Sequence, residues 1–235
     1  KSIIKMKAKA FKIADGVYWV GVIHWNSRTF HGYGIPGTSY NAYLVFGEEK
    51  TVLIDNVYKG MFEQFDARVK DAFEQEGKEF KIDVFVQNHS EMDHSTFLRE
   101  TIEKYNPDAE IYASQNCINF LEAQYHNFSD LELTPVATGD ELDIGGRTLK
   151  FVSAPMLHWP DSMFTFLAED GILFSNDAFG QHLACSKRYD TDYSLDHIIR
   201  EAQKYYANLV TLGSPMLRMK LEELTNSGVL EQVKM

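Results

Sequence analysis

Apolar residues recur along this chain with two spacings, and the order in which the spacings alternate predicts the architecture. Residues 11–23 alternate in the manner of strands, with Asp15-Gly16 as a turn. Residues 40–46 and 50–55 predict a hairpin around Gly47-Glu48-Glu49, its second arm carrying the buried-strand run Val52-Leu53-Ile54. Over 61–76 the spacing lengthens. Phe62, Phe65, Val69 and Phe73 return every three or four positions and Gly77 follows as a stop, which predicts a covering helix. The run Ile82-Asp83-Val84-Phe85-Val86 predicts a strand, 96–105 a helix ended by Pro107, 110–113 a strand and 116–125 another helix. From Leu131 the two-residue spacing returns. Turns at Gly139-Asp140 and Gly145-Gly146 lead to a strand over 147–152, then to a hairpin made of 164–168 and 172–174. Two helices, 192–208 and 215–226, follow. Strands and helices in this order predict an α/β layered fold.

Length and composition narrow this picture without changing it. A chain of 235 residues with 44% hydrophobic and 24% charged residues can bury a sizeable core, and one domain is the simplest expectation. The net charge of −11, with no basic cluster, argues against nucleic acid and anionic membrane surfaces as partners. No apolar run approaches a membrane span, and the N-terminus lacks the long apolar core of a secretory signal, so a cytoplasmic location is expected. The opening Lys1-Ser2-Ile3-Ile4-Lys5 begins without methionine, so the numbering is expected to start inside the gene product or after processing. Cys117 and Cys185 form no CxxC pair and are expected to be reduced, with Cys185 a structural thiol.

Candidate chemistry concentrates in one stretch, Asn88-His89-Ser90-Glu91-Met92-Asp93-His94-Ser95, between a predicted strand and a predicted helix. His89 and Glu91 are two apart and project to one side of extended backbone, and Asp93 and His94 follow at the turn. As a polar loop, this stretch needs only a helix-capping Asp93 and a surface His94. That reading explains any one of the four side chains but not their company. Two imidazoles and two carboxylates together are a metal site on chemical grounds. His158, in the loop 154–162, and Asp177, after the hairpin, also stand at strand ends, so strand, loop and ligand recur in both halves, consistent with a duplicated αββα layout. The aromatic, glycine-punctuated loop 24–37 is a candidate wall or lid, with core packing an equal account of Trp25 and Phe30.

The set His89, Glu91, Asp93, His94, His158 and Asp177 resembles the ligands of the metallo-β-lactamase superfamily, whose loop reads His-x-His-x-Asp-His. Glu91 stands where the hydrolases carry His, and His-x-Glu-x-Asp-His is the variant of the flavodiiron proteins. The blocks 25–33, 40–45, 157–163, 174–182 and 205–208 also look like flavodiiron sequence, the last two closest to the methanogen branch, the coenzyme F420H2 oxidases. The resemblance implies a metallo-β-lactamase-like four-layer αββα sandwich over residues 1–235, with His89, Glu91 and His158 on one iron, Asp93 and His94 on a second, and Asp177 bridging. An added carboxylate suits two irons passing between ferrous and ferric states.

It further implies reduction of O2 to water or of NO to N2O in the cytoplasm, with electrons from reduced F420 or a rubredoxin-like donor relayed through FMN. The FMN would sit in a flavodoxin-like domain beyond residue 235 and act in trans across a head-to-tail homodimer, or within a tetramer. The family's last ligand, a His in a Ser-His-Gly turn, would follow Met235, so this stretch alone is expected not to sustain turnover. Trp159 is the candidate for flavin contact, with packing against the ligand loop as its alternative. His24 and Tyr206 are candidates for supplying protons or hydrogen bonds, rivalled by His31, His182 and Tyr205. His126 and His197 are expected at the surface. A zinc hydrolase acting through metal-bound water is the competing function, and a non-catalytic module that kept the fold a second.

Overall fold

Alternation along each strand assigns successive side chains to opposite faces, and this protein buries both. A computed structural model describes residues 8–235; the opening Lys1-Ser2-Ile3-Ile4-Lys5 lies outside the described residues. Among these, a seven-stranded sheet runs in the order Phe11–Ala14, Val17–Trp19, Tyr43–Phe46, Thr51–Ile54, Val84–Gln87, Glu110–Ala113, Leu133–Pro135. Its first four strands pair antiparallel and the rest parallel. A four-stranded antiparallel sheet follows: Glu141–Asp143, Thr148–Ser153, Met163–Leu167, Ile172–Phe174.

The period-two pattern fixes the layers. Tyr18, Leu44, Phe46, Leu53 and Phe85 face one way, into a core shared with Phe65, Val69 and Phe73 of helix Phe62–Glu76, Leu98 and Ile102 of Leu98–Tyr105, and Cys117 and Leu121 of Gln115–Tyr125. Their strand neighbours Val17, Val45, Val52, Ile54, Val84 and Val86 face the other way and meet Leu149, Phe151, Met163, Leu167 and Phe174 of the second sheet. The outer face of that sheet, through Val152 and Phe164, packs on Tyr205 of helix Leu195–Tyr205 and on Leu217 and Leu224 of Ser214–Asn226. Helix, sheet, sheet, helix is the αββα sandwich expected from the sequence.

Three elements differ from the expected pattern. The strand expected over 11–23 breaks at Gly21, where an added Cβ would lie 2.1 Å from the Tyr40 carbonyl oxygen, so the backbones cross too closely for a side chain. Beyond the crossing, Val22–His24 pairs with Thr38–Tyr40 in a separate ribbon, and only Tyr43–Phe46 of the expected 40–46 strand joins the large sheet. The helix expected over 96–105 starts at Leu98, after a separate turn inside the ligand loop. A single turn, Met92–Ser95, is held by the Ser95 hydroxyl donating to the carbonyls of Ser90 and Glu91, and Leu98–Tyr105 follows. The helix expected over 192–208 is regular over Leu195–Tyr205 and opens into a π-type turn at Tyr206–Val210.

These connections place the chemistry on one edge. Thr51–Ile54 and Val84–Gln87 are parallel neighbours, so Asp55 and the loop from Asn88 leave from the same end. Thr148–Ser153 and Ile172–Phe174 run in one direction and deliver His158 and Asp177 to their own edge. Asn88 joins the two edges: its carbonyl accepts from Met163 N (3.0 Å) and its side-chain oxygen from the Thr165 hydroxyl (2.7 Å).

Candidate metal centre

His89, Glu91, His158 and Asp177 each offer one ligand atom, and these atoms lie within 4.8 Å of one another. Glu91 Oε2 is 3.0 Å from His158 Nε2 and 3.4 Å from His89 Nε2; Asp177 Oδ2 is 3.3 Å from His158 Nε2 and 3.7 Å from His89 Nε2. On the far side of Asp177, its Oδ1 is 3.1 Å from His94 Nε2, which is 3.8 Å from Asp93 Oδ2. Asp177 thus stands between a His89, Glu91, His158 group and an Asp93, His94 pair.

The donor atoms crowd a common point instead of satisfying one another. Asp93 Oδ1, His158 Nε2 and Asp177 Oδ2 are buried without an aligned hydrogen-bond partner, although opposite charges stand 3–4 Å away. Buried polar atoms are ordinarily paired, and unpaired ligand atoms converging from three loop positions fit a cation. The electrostatics agree. Burial alone would push the imidazole pKa values down, yet the carboxylates overcome it: Asp161 and Glu91 raise His89 to about 9, and Asp177 and Glu91 raise His158 to about 9. Glu91 and Asp177, despite their own burial, are held below the usual carboxylate range by the facing histidines. Such a potential draws any cation, and a mixed nitrogen and oxygen donor set with three carboxylates suits iron.

The His89 imidazole is aimed from behind, and a carboxylate also stands behind His94. Asp161, fully buried, sits 3.2 Å from His89 Nδ1 through both oxygens and accepts from Ser90 N at 2.7 Å. The Asp161 carbonyl in turn accepts from the Ser114 hydroxyl, whose oxygen caps helix Gln115–Tyr125. Asp55, 3.9 Å from His94 Nδ1, accepts from Asn88 N, and its pKa rises to about 6 through burial. Gln87 Nε2 reaches Asp55 Oδ1 and the carbonyls of His89 and His94 at 3.2, 2.5 and 2.9 Å, tying the loop to its own strand. His31, Asp55 and Asn176 adopt φ of 48°, 56° and 43°. Left-handed backbone costs roughly 1–2 kcal/mol per residue outside glycine, and here the side-chain bonds of these residues hold it.

Of the sequence candidates, the structure brings together the six proposed ligands and Trp159, whose indole meets the His89 ring edge to face at 5.2 Å. His24 lies outside the cluster, its Nδ1 3.0 Å from the Tyr40 hydroxyl. Tyr206 is half-buried among the helices of the outer layer. The neighbouring Tyr205 turns inward instead, its ring 6.3 Å from both His158 and His31 and 5.4 Å from His182, with a buried hydroxyl lacking a partner. Loop 24–37 contributes His31, whose Nε2 is 2.8 Å from Glu91 Oε1. Asp161, Asp55 and Gln87 were not singled out from the sequence. Asp161, three residues past His158 in a histidine-bearing loop, is the one whose position carried a signal.

A four-layer αββα domain with a histidine and carboxylate cluster at its strand tips defines a metallo-β-lactamase-like protein. The chain belongs to the ODP family of beta lactamase domains, whose profile matches residues 38–227. It is 54% identical over 234 residues to the coenzyme F420H2 oxidase of Methanocaldococcus jannaschii, covering 98% of this chain and 56% of that protein. To the nitric oxide reductase of Moorella thermoacetica it is 43% identical over 215 residues, 90% of this chain and 52% of that one. Among solved structures, the flavodiiron protein of Giardia intestinalis superposes with a TM-score of 0.84 at 36% identity, over 93% of this chain and 52% of that one. The rubredoxin oxygen:oxidoreductase of Desulfovibrio gigas gives 0.82 at 37% identity, over 94% and 54%. The chain spans about half the length of the curated relatives it matches. Family and fold read from the sequence are therefore borne out.

Proposed function

We propose that this chain is the diiron-carrying part of an enzyme that reduces O2 to water, or NO to N2O, with electrons relayed through FMN from reduced coenzyme F420 or a rubredoxin-like donor. The observation that carries this reading is Glu91: it stands inside a cluster that in a zinc hydrolase of the same fold would present histidine, and its carboxylate makes the donor set harder and more anionic. His89, Glu91 and His158 would hold one iron, Asp93 and His94 the other, with Asp177 between them. Iron bound there would supply electrons to a diatomic substrate at one place.

The protein's own residues aim the ligands, through Asp161 and Asp55, and exclude bulk water, since His89, Asp93, His94 and Tyr205 are buried. Both reductions consume protons, and Tyr205 OH, unpartnered beside His158, is placed to donate a hydrogen bond to a molecule in the pocket. His24 keeps a supporting part through Tyr40. The relatives' additional length accommodates the flavodoxin-like, FMN-carrying domain that the resemblance implies, supplied across a head-to-tail homodimer or tetramer. Trp159, with Phe120 beside it, offers that flavin an aromatic shelf next to His89. A cytoplasmic setting goes with the unpaired Cys117 and Cys185; among the described residues no helix is long and apolar enough to cross a membrane.

Metal analysis of the full-length protein purified without oxygen tests the reading. We expect about two irons per chain, consumption of O2 or NO with reduced F420, and a lower iron content on Glu91→His. Zinc in place of iron, or unchanged iron in Glu91→His, refutes it.

A further inference from the structure

Helix Gln115–Tyr125 supplies no donor atom to the cluster, yet it grips both loops that do. Ser114 caps it, the hydroxyl oxygen accepting from Cys117 N at 3.1 Å, and Cys117 and Leu121 pin its inner face into the core. Asn116, Phe120 and Gln124 repeat every fourth residue and so form a stripe along another side. At the start of the helix the Ser114 hydroxyl donates to the Asp161 carbonyl (2.8 Å) and Asn116 Nδ2 to the Pro160 carbonyl (3.1 Å), both in the loop that carries His158. At its last turn Gln124 Nε2 donates to the Ser90 carbonyl (3.2 Å) and the Tyr125 hydroxyl stands 2.9 Å from that of Ser95, both in the loop that carries His89, Glu91, Asp93 and His94. Between these grips Phe120 meets the Trp159 ring at 6.3 Å, and Trp159 meets His89 at 5.2 Å.

The two ligand loops leave different sheets, one after Val84–Gln87 and the other after Thr148–Ser153, and Glu91 Oε2 must nevertheless come within 3.0 Å of His158 Nε2. The loops touch where Ser90 N donates to Asp161 Oδ2 at 2.7 Å. The helix holds the carbonyls of these same two residues, one from each end. Ser114, the helix, Gln124, Ser90 and Asp161 therefore close a ring of contacts, and its rigid side is the helix, with Ser114 and Gln124 about 15 Å apart along the axis at about 1.5 Å per residue. Donor counting shows what each bond in the ring does. Ser95 has a single hydroxyl proton and lies 2.6 Å from the Ser90 carbonyl and 2.9 Å from that of Glu91; carbonyls only accept, so Tyr125 donates to Ser95 Oγ. Taking away the Gln124 amide thus leaves the Ser90 carbonyl its bond from Ser95. No buried group is orphaned, and what is lost is the grip itself.

We propose that Ser114 and Gln124 are positioning residues for the metal centre: from the two ends of one helix they fix the span between the Glu91 loop and the His158 loop, so that both ligands reach the same ion. The inference rests on the reading of Glu91 and His158 as ligands, and goes beyond it by giving a helix without donor atoms the task of setting the distance between them. A ring of contacts holds its span only while it is closed. Opening it at either end releases the same constraint, so losing both grips costs hardly more than losing one. Independent anchors more than about 10 Å apart would instead multiply their effects.

The test is a double-mutant cycle in full-length protein, stripped of metal and read as ferrous-ion affinity against a competing chelator. Gln124→Met keeps the length and loses the amide; Ser114→Ala loses the hydroxyl, and Ser114→Thr restores it. Each single loss is expected to lower ferrous affinity about three- to tenfold, short of the roughly 10–100-fold common for residues that touch a ligand directly. The double variant is expected within about twofold of the weaker-binding single, and Ser114→Thr at the parent value. A merely structural part moves the melting temperature and leaves ferrous affinity alone. Unchanged affinity in either single variant, where Glu91→Gln loses it, therefore overturns the proposal, and so do losses that multiply in the double. Ser114→Ala also removes a helix cap; if it does not fold, Asn116→Ala loosens the same loop with the cap intact and takes its place in the cycle. Unchanged affinity in Glu91→Gln overturns the ligand reading instead, and so separates the two failures.

Discussion

Replacing Asp161 by Asn changes one buried atom and should cost the site most of an order of magnitude in ion affinity. Asp161 holds two donors with two oxygens: Ser90 N–H and His89 Nδ1. Asn has one oxygen. If Ser90 keeps it, the amide N–H faces Nδ1, which must then be bare, and the His89 proton moves to Nε2, the nitrogen turned toward Glu91 and Asp177. The ring is then in the wrong tautomer to bind an ion. The charge matters as well. The shift of His89 from 6.5 to about 9 is worth about 3 kcal/mol of preference for positive charge, at 1.36 kcal/mol per unit. Asp161 is the foremost of the groups that raise it, and removing such a partner of a metal-binding histidine costs on the order of tenfold in affinity. Anaerobic titration of full-length Asp161→Asn with ferrous ion against a chelator measures it. Affinity within about twofold of the parent, in a variant that melts where the parent melts, would show that the carboxylate neither sets the tautomer nor contributes field.

Two further outcomes concern the scaffold. Gly21→Ala should destabilise the fold by about 3 kcal/mol, because the Cβ meets the Tyr40 carbonyl at 2.1 Å and backbone must move; a chain of this size then melts about 6–12 °C lower, and an unchanged melting temperature contradicts the crossing. Asp71, fully buried on helix Phe62–Glu76, accepts from Lys9 Nζ (2.7 Å), Gln75 Nε2 (2.6 Å) and Ala10 N (3.0 Å). Burial pushes its pKa up, but these donors overcome that and hold it below the ordinary value. A depressed folded-state pKa means the stabilisation is complete above the unfolded value near 3.9 and is lost as pH falls through the folded value. Asp71→Asn should therefore unfold about 1–3 kcal/mol more easily at pH 7, and the gap to the parent should narrow in acid; a gap independent of pH in urea titrations would refute the charge's part in it.

What the sequence disclosed and what it withheld divide along one physical line. Strand faces and the long helix were legible because their information is local: Val52-Leu53-Ile54 carries its own two-sided burial, and Phe62 to Phe73 their own stripe. The ligand loop was legible for the same reason, four metal-capable side chains within six positions. Features set by a second segment were not. Nothing near Gly21 says that the Tyr40 carbonyl crosses it, and Asp161 declares its purpose only when the loop 154–162 folds back over His89, 72 residues away. The Tyr205-Tyr206 pair is the sharpest case. Successive helical side chains point about 100° apart, so one of the pair must face the cluster and the other the outer layer, but a choice between them needs the helix rotation, which the packing of Leu217 and Leu224 beneath it decides. His31 and His182 follow the same logic: each is an unremarkable histidine in its own loop, and the row they form exists only because a hairpin and a strand end deliver them to the free oxygen of Glu91. In this domain the sequence names the donors directly, whereas the groups that orient those donors are legible only in three dimensions.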